Sequence, residues 1–185
     1  MVVIAFLMAM VVALQFISSQ IRPIGGVSIS LVLIPIIMGA AYCGPSAGAI
    51  LGATFGVITF LNCVSGADPG GHMVFQASPI GCLLVVMAKG ILAGAAAGWL
   101  YRALIIKNGY IAMLGAAIVC PVVNTGVFLT AMAVFFKDVL RAWAGAGDLL
   151  AYVFSALILF NFVPELLINI VFCPAGERII RAVKK

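Results

Sequence analysis

Two ionisable side chains stand deep inside otherwise apolar runs, at Lys89 and Glu165. Lys89 follows the start of the run 79–104 by about ten residues, roughly 15 Å along a helix rising 1.5 Å per residue. Burying a lysine at that depth in a bilayer costs at least ~2.5–3.5 kcal/mol, so it calls for a partner or a cavity. Glu165 belongs to the run 149–172, where Asn161, Glu165 and Asn169 recur every fourth residue. Each step of four drifts by about 40°, so the three share one polar face within about 80°. That face is expected to look into a bundle rather than at lipid. In the run 110–136, Pro121 precedes Asn124 and Thr125; the proline removes one helical hydrogen bond, and Asn124 offers a polar group near the depth of Lys89. Lys89, Asn124 and Asn161 therefore converge by arithmetic. Phe128, Phe135, Trp143, Tyr152 and Phe154 gather toward one end of the same helices. A mostly apolar pocket with a few placed polar groups is how small-molecule sites are built. The competing reading is a structural Lys89–Glu165 ion pair, with depths that differ by about 9 Å. His72, the single histidine, sits in a polar stretch and is either a substrate contact or a solvated loop residue.

Other chemistry finds little footing. The cysteines at 43, 63, 82, 120 and 173 include no C-x-x-C spacing, and with one histidine a metal centre has no ligand set. Cys63 and Cys82 flank one loop and are close enough in sequence to pair, but small apolar packing residues is the plainer reading. No H-E-x-x-H or phosphate-cradling loop occurs, and the G-x-S-x-G at Gly44-Pro45-Ser46-Ala47-Gly48 lies between two apolar helical runs and not on a strand-to-helix turn, so neither a hydrolase nor an ATP-driven pump is expected from this chain by itself.

The elements that must position these residues are set by composition. Of 185 residues, 65% are hydrophobic and 8% charged, against roughly 25% charged in soluble domains. Lipid must be the main solvent, and the expectation is an all-α membrane protein: a single domain over 1–185, folded as a bundle of six transmembrane helices. Their expected bounds are about 1–17, 27–42, 46–64, 79–104, 110–136 and 149–172. The first run lacks a basic leader and a small-x-small cleavage site, and is read as a spanning helix, not a signal peptide. The polar stretches 65–78, with its Asp-Pro-Gly-Gly turn chemistry, and 137–148 are expected as loops on one side. The net charge of +5 does not indicate nucleic acid, because Lys and Arg sit at helix ends and in a tail. With the N-terminus inside, Arg102, Lys107, Arg178, Arg181, Lys184 and Lys185 fall inside, against Arg22, Lys137 and Arg141 outside. Both termini are therefore expected in the cytoplasm.

Small residues mark the faces where helices approach. Gly48, Gly52 and Gly56, and Gly90, Gly94 and Gly98, repeat every four residues and are expected to pack internally. Ala5, Ala9 and Ala13 make a third such face, free to point toward a partner subunit.

These features resemble an S component of the energy-coupling-factor (ECF) transporters over essentially the whole chain. The resemblance rests on the alanine face at 5, 9 and 13; on Ser28-Ile29-Ser30-Leu31 leading to Pro35 and Gly39-Ala40; on Gly44-Pro45-Ser46-Ala47-Gly48-Ala49; and on Pro121-Val122-Val123-Asn124-Thr125. It implies a multi-pass protein of the bacterial plasma membrane that binds a vitamin or related micronutrient from outside. It implies docking through Ala5, Ala9 and Ala13 onto a membrane scaffold subunit driven by two cytoplasmic ATPase subunits, which use the ATP; this chain binds no cofactor and is not an enzyme. Loops around Arg22, 65–78 and 137–148 would cap the site. The sequence is similar to the riboflavin, folate and pantothenate group, and Lys89 suits a carboxylate such as that of pantothenate. The alternative function is a stand-alone proton- or ion-coupled secondary transporter that uses Lys89 and Glu165 as a relay.

Overall fold

In a computed structural model, residues 2–20, 31–145 and 147–183 are described, and all regular structure among them is helical. The centre is the antiparallel pair α3 (Pro45–Ser65) and α5 (Pro79–Leu104). Their glycine repeats face each other with backbone against backbone. A Cβ added at Gly48 would overlap the carbonyl of Gly94, and one at Gly52 that of Gly90; one at Gly56 would come 2.9 Å from the Val86 carbonyl. Lipid gives helices no hydrophobic reason to associate, so close van der Waals approach over small residues holds the pair.

The other helices build out from this pair. α6 (Gly109–Phe135) lies on α5. α1 (Val2–Gln20) and α2 (Leu33–Cys43) lie on α3. The buried core runs through Val11, Ile36, Leu51, Phe55, Ala93, Ala97, Met113 and Ala116. α1 turns Leu7, Val11, Gln15 and Ser18 inward and leaves Ala5, Ala9 and Ala13 exposed. The α2–α3 turn depends on Gly44, whose φ of 101° is a conformation L side chains rarely adopt, and whose N–H donates to the Ala40 carbonyl at 3.0 Å.

Both polar stretches expected as loops contain helices. Asp68 caps α4 (Pro69–Ala77) by accepting from the Gly71 N–H at 3.2 Å, with Pro69 at the first helical position. Asp-Pro is turn chemistry and equally a helix start, because the missing proline N–H is one the first turn leaves unbonded anyway. The amphipathic α7 (Lys137–Ala144) buries Val139 and Leu140.

The last helical run is longer than expected. α8 (Leu149–Tyr152) continues through a π-helical stretch, Val153–Phe162, into α9 (Val163–Val183), which packs on α6. The wider turn is explicit where the Val163 N–H bonds to the Ile158 carbonyl. The segment expected to be a basic tail is helical past Pro174. Its Glu177, 2% exposed, accepts from the Tyr101 hydroxyl at 3.2 Å and from Arg181 Nε at 2.9 Å. Arg181 in turn lies over the Tyr110 ring at 4.8 Å. This clasp ties α9 to the α5–α6 turn. α1 begins at the same end, since a Cβ on Gly39, near the α2–α3 turn, would lie 3.1 Å from Leu7 Cδ1. The described helix termini at both ends of the chain thus share one end of the bundle.

Four helical segments are long and apolar enough to cross a membrane: Pro45–Ser65, Pro79–Leu104, Gly109–Phe135 and Leu149–Ile179. Val2–Ser18 and Leu33–Cys43 are apolar but shorter. The expected start of the second helix at 27, the residues 28–30, the Arg22 cap and the basic pair Lys184 and Lys185 lie outside the described residues.

Candidate functional site

At the end opposite the clasp, α1, α3, α5, α6, the π-helical run and the start of α9 line a partly open cavity of about 320 Å³, with residues of α4 and α7 also on its wall. This is at the lower edge of the ~300–1,000 Å³ usual for small-molecule sites. Lys89, Asn124, Phe128, Trp143, Asn161 and Glu165 all line it. Four separate devices deliver them. The glycine pairing sets Lys89, one position before Gly90, beside α3. Pro121 interrupts the bonding of α6 one turn before Asn124. The π-helical stretch carries Asn161, and π turns inside longer helices recur at functional sites because they re-aim side chains. Phe136 ends α6 and leads into α7, which brings Trp143 back over the cavity.

Lys89 sits between aromatic faces. Its Nζ lies 5.2 Å from the Phe55 ring centroid and 5.2 Å from that of Phe128, and Phe128 stacks near-parallel with Trp143 at 6.3 Å. A cation over one ring gains ~0.5–2 kcal/mol, so the two rings together offset much of the ~2.5–3.5 kcal/mol that placing a lysine at mid-bilayer costs on insertion scales, while supplying no hydrogen-bond acceptor. Lys89 and Glu165 share the cavity but do not close to ion-pair distance. Among the described residues the ion pairs are Arg141–Asp138 at 3.7 Å and Arg181–Glu177 at 2.9 Å. The structural Lys89–Glu165 pair is therefore not what the fold builds: the carboxylate stands on α9 while the Lys89 ammonium lies over the Phe55 and Phe128 rings.

The wall is rich in polar groups without partners. Gln15 Oε1, Asn124 Oδ1, Asn161 Oδ1, Glu165 Oε1 and Trp143 Nε1 are buried with no hydrogen-bond partner among the described residues, and each belongs to a cavity-lining side chain. A buried polar atom left unpaired costs ~1–3 kcal/mol. Concentrating five around one cavity makes it a place that favours a polar guest. Asn169, the third member of the expected polar face, is 3% exposed. It lies off the cavity wall and donates from Nδ2 to the Glu165 carbonyl at 2.7 Å.

His72 is placed apart from the cavity lining. Its Nδ1 meets the Cys63 carbonyl at 2.8 Å and its Nε2 meets Gln76 Nε2 at 3.0 Å, while the ring stacks on Phe75. Because α4 is a helix and not a loop, the ring is spent on holding that helix to α3. Phe135 and Phe154 are also apart, exposed on the outside of the bundle, whereas Tyr152 lines the cavity.

Sequence reasoning passed over Gln15, Phe55, Thr59 and the thiols of Cys63 and Cys82, all on the cavity wall. Gln15 had a signal: it is the only amide in the apolar run that opens the chain. Phe55, Thr59 and Cys63 also had one, the four-residue spacing of a single face of α3. The cysteines are free thiols, and the described residues hold no group of three or more metal-ligating side chains.

The family model described as ECF transporter, substrate-specific component, matches residues 1–176. No curated protein matches the chain.

Proposed function

The chain belongs to the substrate-specific components of the ECF transporters, and from that premise we propose that its cavity captures a water-soluble vitamin or related micronutrient of the pantothenate, riboflavin or folate class. It is a multi-pass protein of the bacterial plasma membrane and a transporter's substrate-binding subunit, which is not an enzyme class. The observation that carries the reading is the gathering of Lys89, Asn124, Phe128, Trp143, Asn161 and Glu165 around one cavity whose buried polar atoms lack partners.

In this reading the two shorter apolar helices cross the membrane together with the four long ones, giving six crossings. The clasp end faces the cytoplasm. Arg102, Lys107, Arg178 and Arg181 lie at that end, while Lys137 and Arg141 lie at the cavity end beside Asp138 and Asp148. The cavity then opens outward, with α4 and α7 as its cover. The exposed alanine face of α1 is the surface for a membrane scaffold subunit. Two ATPase subunits on that scaffold use the ATP, and this chain binds no cofactor of its own.

Titration of the detergent-purified chain with pantothenate, riboflavin and folate tests the capture role. One of the three is expected to bind with submicromolar affinity. A chain that binds none of them and co-purifies with no small molecule would overturn it. The second reading, a stand-alone ion-coupled transporter, is favoured only by the presence of Lys89 and Glu165 in one cavity.

A further inference from the structure

We infer that the substrate has two chemically opposite ends: an oxyanion, carboxylate or phosphate-like, seated on Lys89, and hydroxyl or N–H donors met by Glu165 and its neighbours. The inference rests on reading the cavity as a capture site.

The argument starts from what the cavity offers in fixed polarity. Lys89 is an ammonium with three donors and no acceptor. What surrounds its Nζ is two phenyl faces at 5.2 Å each. Among the described residues, three carboxylates or ammoniums line the cavity: Lys89, Glu165 and Asp68. Asp68 is engaged in capping α4 through the Gly71 N–H, and Glu165 does not reach ion-pair distance of Lys89. Among the described residues the cation therefore has no contacting counter-ion on the cavity wall. Acceptors line the same wall: Glu165 Oε1, Asn161 Oδ1, Asn124 Oδ1 and Gln15 Oε1 are buried without donors among the described residues. The three amides can turn to present either oxygen or nitrogen, but the ammonium only donates and Glu165, when ionised, only accepts. A guest that completes both must accept strongly at one place and donate at another.

This divides the candidate substrates. A hydroxy-acid amide such as pantothenate, or a pterin carboxylate such as folate, carries both ends. A neutral flavin has no oxyanion to set on the ammonium, and a cationic guest would meet Lys89 with like charge. Charge-assisted contacts of this kind, made away from water, are the strong ones.

The test is mass spectrometry of the small molecule extracted from the full chain purified in detergent from bacterial membranes. The expected compound contains a carboxylate or a phosphate, which fragmentation tells apart, and at least one hydroxyl or N–H group. Lys89→Met is expected to purify as a folded monodisperse protein without that compound, and to bind it roughly 100-fold more weakly when titrated. Glu165→Gln, which keeps the shape and removes the charge, is expected to weaken binding about tenfold. A compound lacking any acidic group, riboflavin included, overturns the inference, and so does a Lys89→Met protein that retains its load. The wild-type compound alone decides the matter should Lys89→Met fail to fold. No compound in the wild type, together with no binding of pantothenate, folate or riboflavin, instead overturns the capture reading itself.

Discussion

Glu177 shows how much one buried carboxylate organises at the clasp end. It is 2% exposed, takes the Tyr101 hydroxyl and the Arg181 guanidinium, and sits so close to Gly109 that a Cβ there would overlap it. Glu177→Ala leaves the Tyr101 hydroxyl, itself on a residue 3% exposed, without an acceptor, at a cost of ~1–3 kcal/mol. Arg181 is half-exposed and can turn to water, so it adds little. The expected outcome is a Tm lower by several degrees in detergent. The double variant Tyr101→Phe/Glu177→Ala should lose less than the two single losses added together, because the stranded hydroxyl is gone. Additive losses would show that the two side chains do not act on each other. This contact was illegible in the sequence: Tyr101 and Glu177 are far apart in the chain, and Glu177 sits in a segment whose charges read as a tail. Lys89 and Glu165 were legible because an ion inside an apolar run is conspicuous wherever the chain later goes. Gln15 was equally isolated, but an amide inside a helix has many ordinary uses.

The same glycine spacing and the same alanine spacing lead to opposite fates at the scale of helices. The glycines of α3 and α5 are consumed against each other, while the alanines of α1 are left exposed. Gly94→Ala would drive a Cβ into the Gly48 carbonyl, which is backbone and cannot step aside. The helices must part, and overpacking of this kind costs ~1–3 kcal/mol. Gly126→Ala is the control, since nothing lies within 4 Å of the added carbon. It should leave Tm unchanged or raise it slightly, because alanine has less backbone entropy than glycine to lose on folding. Equal thermal shifts for the two variants would sink the backbone-contact account. Ala9→Trp, on the exposed face, should keep Tm and ligand binding while abolishing ATP-driven uptake in the presence of the partner subunits; normal uptake would remove α1 as the docking face. The positions of α3, α5 and α6 were readable from apolar run length. The helices α4 and α7 were not, because Asp-Pro-Gly-Gly and a short charged stretch are locally ambiguous, and burial of Val74, Val139 and Leu140 decides between loop and helix. The π-helical stretch was equally hidden, since an apolar sequence of that length reads as ordinary α-helix.

For the molecule as a whole, the division of ends carries the mechanism. One end holds the cavity, its polar atoms unpartnered and its cover made of short helices; the other is tied by Tyr101, Glu177, Arg181 and Tyr110. In the proposed capture role the motion comes from a partner, so capture and the stand-alone reading differ in what they expect of the chain alone. Proteoliposomes containing the chain alone are expected to bind radiolabelled substrate to saturation at about one per protein, with no further accumulation when a proton or sodium gradient of either sign is imposed. Co-reconstitution with the scaffold and ATPase subunits should convert this binding into uptake that requires ATP. Sustained gradient-driven accumulation by the chain alone, abolished by Glu165→Gln, would instead make Lys89 and Glu165 a relay and the clasp a gate. The two outcomes differ in amplitude as well as in energy source, because binding stops at the number of sites and transport does not.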